Sequence, residues 1–327
     1  MQIQKPQYNL VDITNDSFQT IALKVFHYQA INNLVYKEYL NRMSCKIKTV
    51  NSLEKIPFLP ISFFKTLDII TENQKPQQIF LSSGTTGTER SKHLVANTKI
   101  YDESFRAGFA HFFGNIKDFT IIALLPSYLE QKDSSLVYMI SDLIKQTNNT
   151  ASGFYLNDYQ TLKEKLVQLD SQGRKVLLIG VTYALLDLID LYSFQLKNTL
   201  IMETGGMKGR RKELIKEELH SILKRGFGVN TIYSEYGMTE LLSQAYSLSD
   251  TFFQTPPWMK ILIREVEDPF TLLPIGKSGG INIIDLANIN SCSFIATQDL
   301  GKIHSNGKFE VLGRFDHSDI RGCNLMV

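Results

Sequence analysis

Cysteine is scarce in this chain of 327 residues: Cys45, Cys292 and Cys323 are all it has. An odd, sparse count excludes a disulfide framework and reads as a reducing compartment. No CxxC pair and no clustered Cys/His spacing offers a zinc site. An excess of one charge is missing too. Lys and Arg number 35 against 33 Asp and Glu, a net +2. That balance excludes a nucleic-acid footprint, which needs a clustered basic face. The opening MQIQKPQYNLVDITND lacks a positive stretch followed by an apolar one, so no secretory leader is expected. Long apolar runs are absent as well. The most apolar stretch, 176–192, carries Asp187 and Asp190 and breaks at Gly180 into a strand-like and a helix-like half. It reads as a buried βα unit and not as a membrane span. A cytoplasmic location is therefore expected.

What is present suits a packed α/β protein. Hydrophobic residues make up 43% and charged residues 21%, enough apolar surface for a core. The first 75 residues are expected to be a helical segment packed on the rest. Asp16 and Ser17 can cap a helix whose face is Phe18, Ile21, Ala22, Val25 and Phe26. The two prolines of 56–65 predict an extended or turning segment. From residue 78 onward strands are predicted at 79–81, 119–125, 176–181, 200–203 and 230–233, with helices at 101–113, 134–145 and 210–224. That alternation favours a sheet covered by helices. The expected organisation is 1–75 helical and 76–327 a core, with 256–327 a β-rich subdomain and terminal tail.

Five short segments carry chemistry. Ser82, Ser83, Gly84, Thr85, Thr86 and Gly87 follow a predicted strand. Two glycines allow backbone N–H groups to face inward, and four hydroxyls add donors, a combination that holds phosphate oxygens. No Gly-Lys-Ser/Thr ends it, so it is not a P-loop; alone it reads as readily as a hydroxyl-rich surface turn. Tyr236, Gly237, Met238, Thr239 and Glu240 offer an aromatic for a base, a threonine for a phosphate and a carboxylate for Mg²⁺. Between these lie Glu203, Thr204, Gly205, Gly206 and Met207, where paired glycines permit close approach of a flat ring. Asp299 is suited to accept hydrogen bonds from ribose hydroxyls, and Arg314 follows fifteen residues later in Gly313-Arg314-Phe315-Asp316. Each of these four also has a plain reading as a turn or a surface charge.

In that order, SSGTTG, the Gly-Gly loop, YGMTE, QDLG and GRFD resemble the adenylate-forming superfamily of acyl-CoA synthetases, luciferases and adenylation domains. The match spans roughly 78–323, and the short length and ending are similar to the acyl-protein synthetase family; phenylacetate-CoA ligases look like more distant relatives. The resemblance implies the fold of an adenylate-forming N-terminal domain, with layered sheets and helices and a smaller β-rich C-terminal subdomain. It implies roles as well. Ser82 to Gly87 would wrap the ATP phosphates, Thr204, Gly205 and Gly206 would border the adenine, and Tyr236, with Gly237 beside it, would stack on it. Thr239 would contact phosphate, Glu240 would bind Mg²⁺, and Asp299 would hold the ribose with Arg314 nearby.

Adenylate-forming enzymes usually continue past the GRxD hinge into a mobile domain carrying a lysine. Here the sequence ends eleven residues after Asp316, so that domain is expected to be absent; either another basic residue such as Lys92 or Arg90 substitutes for its lysine, or adenylation is slow or absent. Cys323 sits four residues before the end, beside Arg321 and near His317, which could favour its thiolate. The acyl-protein synthetases are similar in placing their acyl-accepting cysteine there. Cys45 and Cys292 read as structural, and His304 and His317 as loop residues. The expected activity is ATP-dependent formation of an acyl-adenylate from a carboxylic, family-wise fatty, acid and transfer of the acyl group to a protein thiol. Its acceptor would be a reductase-like or carrier partner protein. The alternatives are an acyl-CoA ligase using free coenzyme A, and a non-catalytic nucleotide-binding scaffold.

Overall fold

Thr14 opens the first long helix. Its side chain accepts from the Ser17 N–H while the Ser17 hydroxyl accepts from the Thr14 N–H, a reciprocal capping box. The cap is therefore Thr14, not Asp16 or Ser17. All three are cap-type residues, and Ser17 takes the third helical position while Asp16 places its charge in the first turn. The computed structural model describes residues 3–72, 74–83, 89–125, 133–156, 158–205, 214–249 and 251–314.

In chain order the elements begin with α1 (Asn15–Asn32), α2 (Leu34–Arg42), β1 (Leu59–Pro60), α3 (Phe63–Thr66), β2 (Gln78–Leu81), β3 (Lys92–Val95) and α4 (Thr98–Phe113). There follow β4 (Thr120–Leu124), α5 (Ser135–Thr147), β5 (Gly153–Phe154), α6 (Tyr159–Ser171), β6 (Val176–Gly180) and α7 (Thr182–Leu191). Then come β7 (Thr199–Glu203), α8 (Lys216–Phe227), β8 (Ile232–Tyr236) and β9 (Ala245–Ser247). The last are β10 (Met259–Arg264), β11 (Ser278–Asp285), β12 (Phe294–Ile303) and β13 (Phe309–Arg314). They form two compact units. One comprises Met1–Ser104, Thr239–Ser243 and Gln254–Val327, the other Phe105–Met238 and Gln244–Phe253.

The first unit is built on a sheet in the order β1-β12-β11-β10, with β13 on the same edge of β12 as β1. The β1 contact is parallel at Leu59↔Ile295, and the other pairings are antiparallel. β2 and β3 form a separate antiparallel pair. Phe26, Tyr36, Phe58 and Phe294 interlock as an aromatic core with ring centres 6.0 to 6.3 Å apart. α1 is tied to the connection between β11 and β12. The Gln29 amide donates to the carbonyls of Asn288 (2.9 Å) and Ile289 (3.1 Å) and accepts from the Ser293 N–H (3.0 Å). Asn33 donates to the Ser291 carbonyl at 2.8 Å.

The second unit is a six-stranded sheet in the order β5-β4-β6-β7-β8-β9, parallel except for β9. Every residue of β4 and β6 is buried. That explains their almost wholly apolar sequences, Thr120 excepted, which suit strands covered on both faces. The stretch 176–192 is β6 followed by α7, the βα unit expected. The charged helix is α8, starting at Lys216; acidic Glu217 and Glu218 lie in its first turn, basic Lys224 and Arg225 in its last. The strand expected at 230–233 runs on to Tyr236 because 234–236 pair with 245–247. Among the described residues no helix is long and apolar enough to cross a membrane.

The Gln29 bridge generates a stability test. Gln29→Leu leaves the Ile289 carbonyl and the Ser293 N–H without their partner, at about 1–3 kcal/mol each before relaxation, while the Asn288 carbonyl keeps the Ser291 N–H; a loss of about 3 kcal/mol is expected in urea unfolding. Thr14→Ala, which removes one exposed cap, is expected to cost about 1 kcal/mol. Equal losses from the two variants would contradict the bridge.

Candidate active site

Ser82 leaves β2 directly opposite the entry to β3, so the antiparallel pairing closes the loop between them at its base. The Ser82 N–H donates to the Ser91 carbonyl, and the Ser91 N–H donates to the Ser82 hydroxyl, each at 2.9 Å. Arg90 Nε donates to the Ser82 carbonyl. Ser83 is exposed. Gly84, Thr85, Thr86 and Gly87 lie outside the described residues. Lys92 opens β3 and pairs its ammonium with Asp68 Oδ1 at 2.5 Å.

The segment Thr239–Ser243 is fixed from several directions by buried side chains of the same unit. His93 Nδ1 lies 2.9 Å from the Thr239 carbonyl and Nε2 lies 2.8 Å from the Ser291 hydroxyl. A carbonyl only accepts, so Nδ1 carries the proton and Nε2 accepts from Ser291. Burial drives the His93 pKa down to about 4, against the hydrogen bond to Thr239, so the ring is neutral at pH 7. Asn288 donates to the Glu240 carbonyl at 2.8 Å. The Leu242 N–H donates to Asp285 Oδ2 (3.0 Å) and Asn288 Oδ1 (3.1 Å), and the Ser243 hydroxyl donates to Asp285 Oδ1 at 2.6 Å. Trp258 Nε1 donates to Ser243 (3.0 Å) and Ser104 (3.1 Å).

Glu240 is buried, 5% exposed. Burial raises its pKa, opposed by a hydrogen bond from Ser91 and by the charge of Arg314, while Asp299 adds to the rise. Asp299 and Arg314 are cross-strand partners on β12 and β13, joined from Arg314 Nε to Asp299 Oδ1 at 3.1 Å. The first unit thus brings together Ser82, the Thr239–Glu240 turn, Asp299 and Arg314.

In the second unit the chemistry gathers at the C-terminal ends of β7 and β8, the edge where parallel sheets bind ligands. The turn after β7 is pinned to β6 and α7: the Thr204 N–H donates to the Gly180 carbonyl, and the Gly205 carbonyl accepts from the Thr182 N–H. Gly205 has φ +73, a left-handed conformation that glycine adopts without strain. The Thr204 hydroxyl is buried and has no hydrogen-bond partner among the described residues. Gly206 lies outside them. Glu203 receives the Gly205 N–H at 2.7 Å and the Thr182 hydroxyl at 3.2 Å, with Lys216 Nζ 3.4 Å away. Burial works against its ionisation, but the His220 hydrogen bond, the Lys216 charge, Ser234 and the Gly205 N–H outweigh it, and the pKa falls to about 2. Glu235 behaves oppositely. Burial, reinforced by the negative Glu203 and only partly offset by Lys216, pushes it up to about 8. A Cβ at Gly237 would stand 2.4 Å from the Glu235 carboxyl, so Gly237 makes room for it. Tyr236 is buried with its ring 5.7 Å from that of Phe253, whose face holds Lys216 Nζ at 3.8 Å.

Sequence reasoning missed His93, Asp285, Asn288, Lys216 and Glu235. None lies in a recognisable string, and His93 and Thr239 are 146 residues apart. Cys292 is buried and its thiol pKa is raised to about 12 by burial, an inert core residue; Cys45 is partly exposed. Phe64 and Phe105 are fully buried in the core. Cys323 lies outside the described residues. Among those described, no cluster of three or more His, Cys, Asp or Glu side chains could hold a metal.

A family profile described as acyl-protein synthetase, LuxE, matches residues 14–327. No curated protein matches the sequence significantly. Among solved structures, ATP-bound MatB from Rhodopseudomonas palustris is similar with TM-score 0.55 and 18% identity, over 72% of this chain and 47% of that one. A long-chain-fatty-acid-CoA ligase (FadD1) from Archaeoglobus fulgidus gives TM-score 0.51 and 15% identity, over 72% and 51%. An open conformation of 2-hydroxyisobutyryl-CoA ligase in complex with 2-HIB-AMP and CoA gives TM-score 0.64 and 12% identity, over 93% and 70%. This chain spans about half the length of MatB and FadD1. These likenesses show the fold, that of adenylate-forming ligases.

The opposed carboxyls generate a pH prediction. Glu235 is raised from 4.5 to about 8 on folding, so the stability it contributes is full below the unfolded value and is lost as pH rises through that window. Glu235→Gln, isosteric with the protonated acid, is expected to melt with the wild type at the acid end and above it at pH 8 and beyond. A melting difference that does not change with pH would contradict this assignment.

Proposed function

The chain belongs to the acyl-protein synthetase, LuxE, family, and from that membership and the geometry above we propose that it activates a fatty acid with ATP and passes the acyl group to a protein thiol. The observation that carries the reading is the fixed Thr239–Glu240 turn, set in one unit with Ser82 and the Asp299–Arg314 pair.

The residues fit the groups this chemistry needs. Glu240 is a buried carboxyl whose pKa is raised, and a divalent cation would favour its ionised form. One carboxylate plus phosphate oxygens is a usual set for Mg²⁺. The Thr204 hydroxyl, which has no hydrogen-bond partner among the described residues, is a buried polar atom that a nucleotide can satisfy. In this reading Ser82, Ser83, Gly84, Thr85, Thr86 and Gly87 hold the phosphates, and Thr204, Gly205 and Gly206 border the adenine on which Tyr236, backed by Gly237, stacks. Asp299 accepts from the ribose hydroxyls, with Arg314 beside it. Thr239 contacts phosphate, and Lys92 serves the phosphates by exchanging Asp68 for them. Bound Mg²⁺ would neutralise charge on the phosphate oxygens. A carboxylate oxygen of the acid attacks the α-phosphorus, the bond to pyrophosphate breaks, and an acyl-adenylate forms. A thiolate, assigned to Cys323, then attacks the acyl carbon and AMP leaves, giving a thioester for a reductase-like or carrier protein. The donors act electrostatically, where charge develops on the departing groups.

Ligation to free coenzyme A is the second reading, favoured by the likeness to 2-hydroxyisobutyryl-CoA ligase over 93% of the chain.

ATP–pyrophosphate exchange across a panel of carboxylic acids, followed by labelling of the protein with the best acid, separates them. We expect exchange with at least one fatty acid and a protein-bound label that disappears in Cys323→Ser while exchange persists. An unlabelled wild type that makes acyl-CoA would favour the second reading, and no exchange with any acid would refute both.

A further inference from the structure

The Thr239–Ser243 segment is held along its backbone by side chains that the proposed chemistry does not use. The carbonyls of Thr239 and Glu240, two successive residues, are each taken by a buried donor: His93 Nδ1 at 2.9 Å and Asn288 Nδ2 at 2.8 Å. His93 is 0% exposed, as is Asn288. Each donor is itself fixed. Ser291 holds the far nitrogen of His93 at 2.8 Å, and Asn288 also donates to the Cys292 carbonyl at 3.1 Å while accepting from the Leu242 N–H at 3.1 Å. His93 stands on β3, two residues after Ser91, whose hydrogen bond acts on the Glu240 carboxyl. β3 and the residue just before it therefore reach both the main chain and the side chain of the Thr239–Glu240 turn.

We propose that His93 and Asn288 are positioning residues for Mg·ATP: neutral donors that lock the carbonyls of Thr239 and Glu240 so that the Glu240 carboxylate is aimed before the nucleotide arrives. The proposal rests on the reading of Glu240 as the Mg²⁺ ligand. It goes further in assigning that ligand's geometry to two side chains remote in sequence. A carbonyl released on either residue lets the turn rotate, and displacement by about 1 Å can cost about a hundredfold in rate.

The chain carries its own reporter. Trp258 is its single tryptophan, and its indole N–H is bonded to Ser243 at the end of this segment. The paired variants are His93→Asn and His93→Gln. Asparagine places its amide nitrogen where Nδ1 lies and keeps the bond to Thr239, whereas glutamine reaches the Nε2 position and loses it. Both are uncharged and smaller than imidazole, so a purely structural role would not rank them in this order. We expect His93→Gln to red-shift Trp258 emission and to lower kcat/KM for Mg·ATP in pyrophosphate exchange about 10- to 100-fold, with a higher Mg²⁺ requirement. His93→Asn should stay within about threefold of the wild type. Asn288→Ala, which leaves His93 intact, should repeat the glutamine pattern. Indistinguishable emission and kinetics for His93→Asn and His93→Gln, or a silent Asn288→Ala, would overturn the proposal. The expected emission order in a chain that catalyses no exchange would sustain the locking of the turn and refute the proposed reaction instead.

Discussion

The candidate site depends on how the segment Thr239–Ser243 is held. It is too short to fold by itself and carries a carboxyl that burial disfavours. The Thr239 and Glu240 carbonyls and the Leu242 N–H are satisfied by side chains: His93 from β3, and Asp285 and Asn288 from the end of β11 and the turn after it. A buried polar group left unpaired costs about 1–3 kcal/mol, so these bonds fix the segment's position as firmly as a ladder would. The same turn after β11 is held from its other side by Gln29 and Asn33 of the helical N-terminal region. That is why 1–75, which carries no motif, still bears on the site.

The second unit solves a different electrostatic problem. Two buried carboxyls, Glu203 and Glu235, share the positive Lys216. One cation does not neutralise both. Glu203 takes the hydrogen bonds and the charge; Glu235, with burial and the neighbouring anion against it, keeps its proton. The ionised Glu203 in turn accepts the Gly205 N–H and so sets the turn that follows β7. Lys216 spends its other face on the Phe253 ring, which also meets Tyr236. The residues nominated for the adenine are thereby shaped by groups that would never touch it.

Much of this was legible in the sequence, and the boundary is physical. β4 and β6 announced themselves because strands buried on both faces are apolar almost throughout. The five motif strings were legible because each packs its chemistry into a few consecutive residues. Helix α1 was found but its cap was misplaced, since Thr14, Asp16 and Ser17 all have side chains that cap, and only geometry selects Thr14. β8 was ended early because Ser234-Glu235-Tyr236 has the composition of a turn; its polar groups are instead buried beside Glu203, His220 and Lys216. His93 was invisible for another reason. Its neutral, buried role needs Thr239 and Ser291 as partners, 146 and 198 residues away, and no local pattern encodes such a distance.

The central claim is that a pre-aimed Glu240 receives the cation that accompanies ATP. Calorimetric titration of ATP with and without Mg²⁺, on the wild type and on Glu240→Gln, tests it most directly. The account predicts that Mg²⁺ tightens ATP binding strongly in the wild type and little in the variant, whose metal-free affinity stays close to that of the wild type. Equal Mg²⁺ enhancement in the two proteins would contradict it.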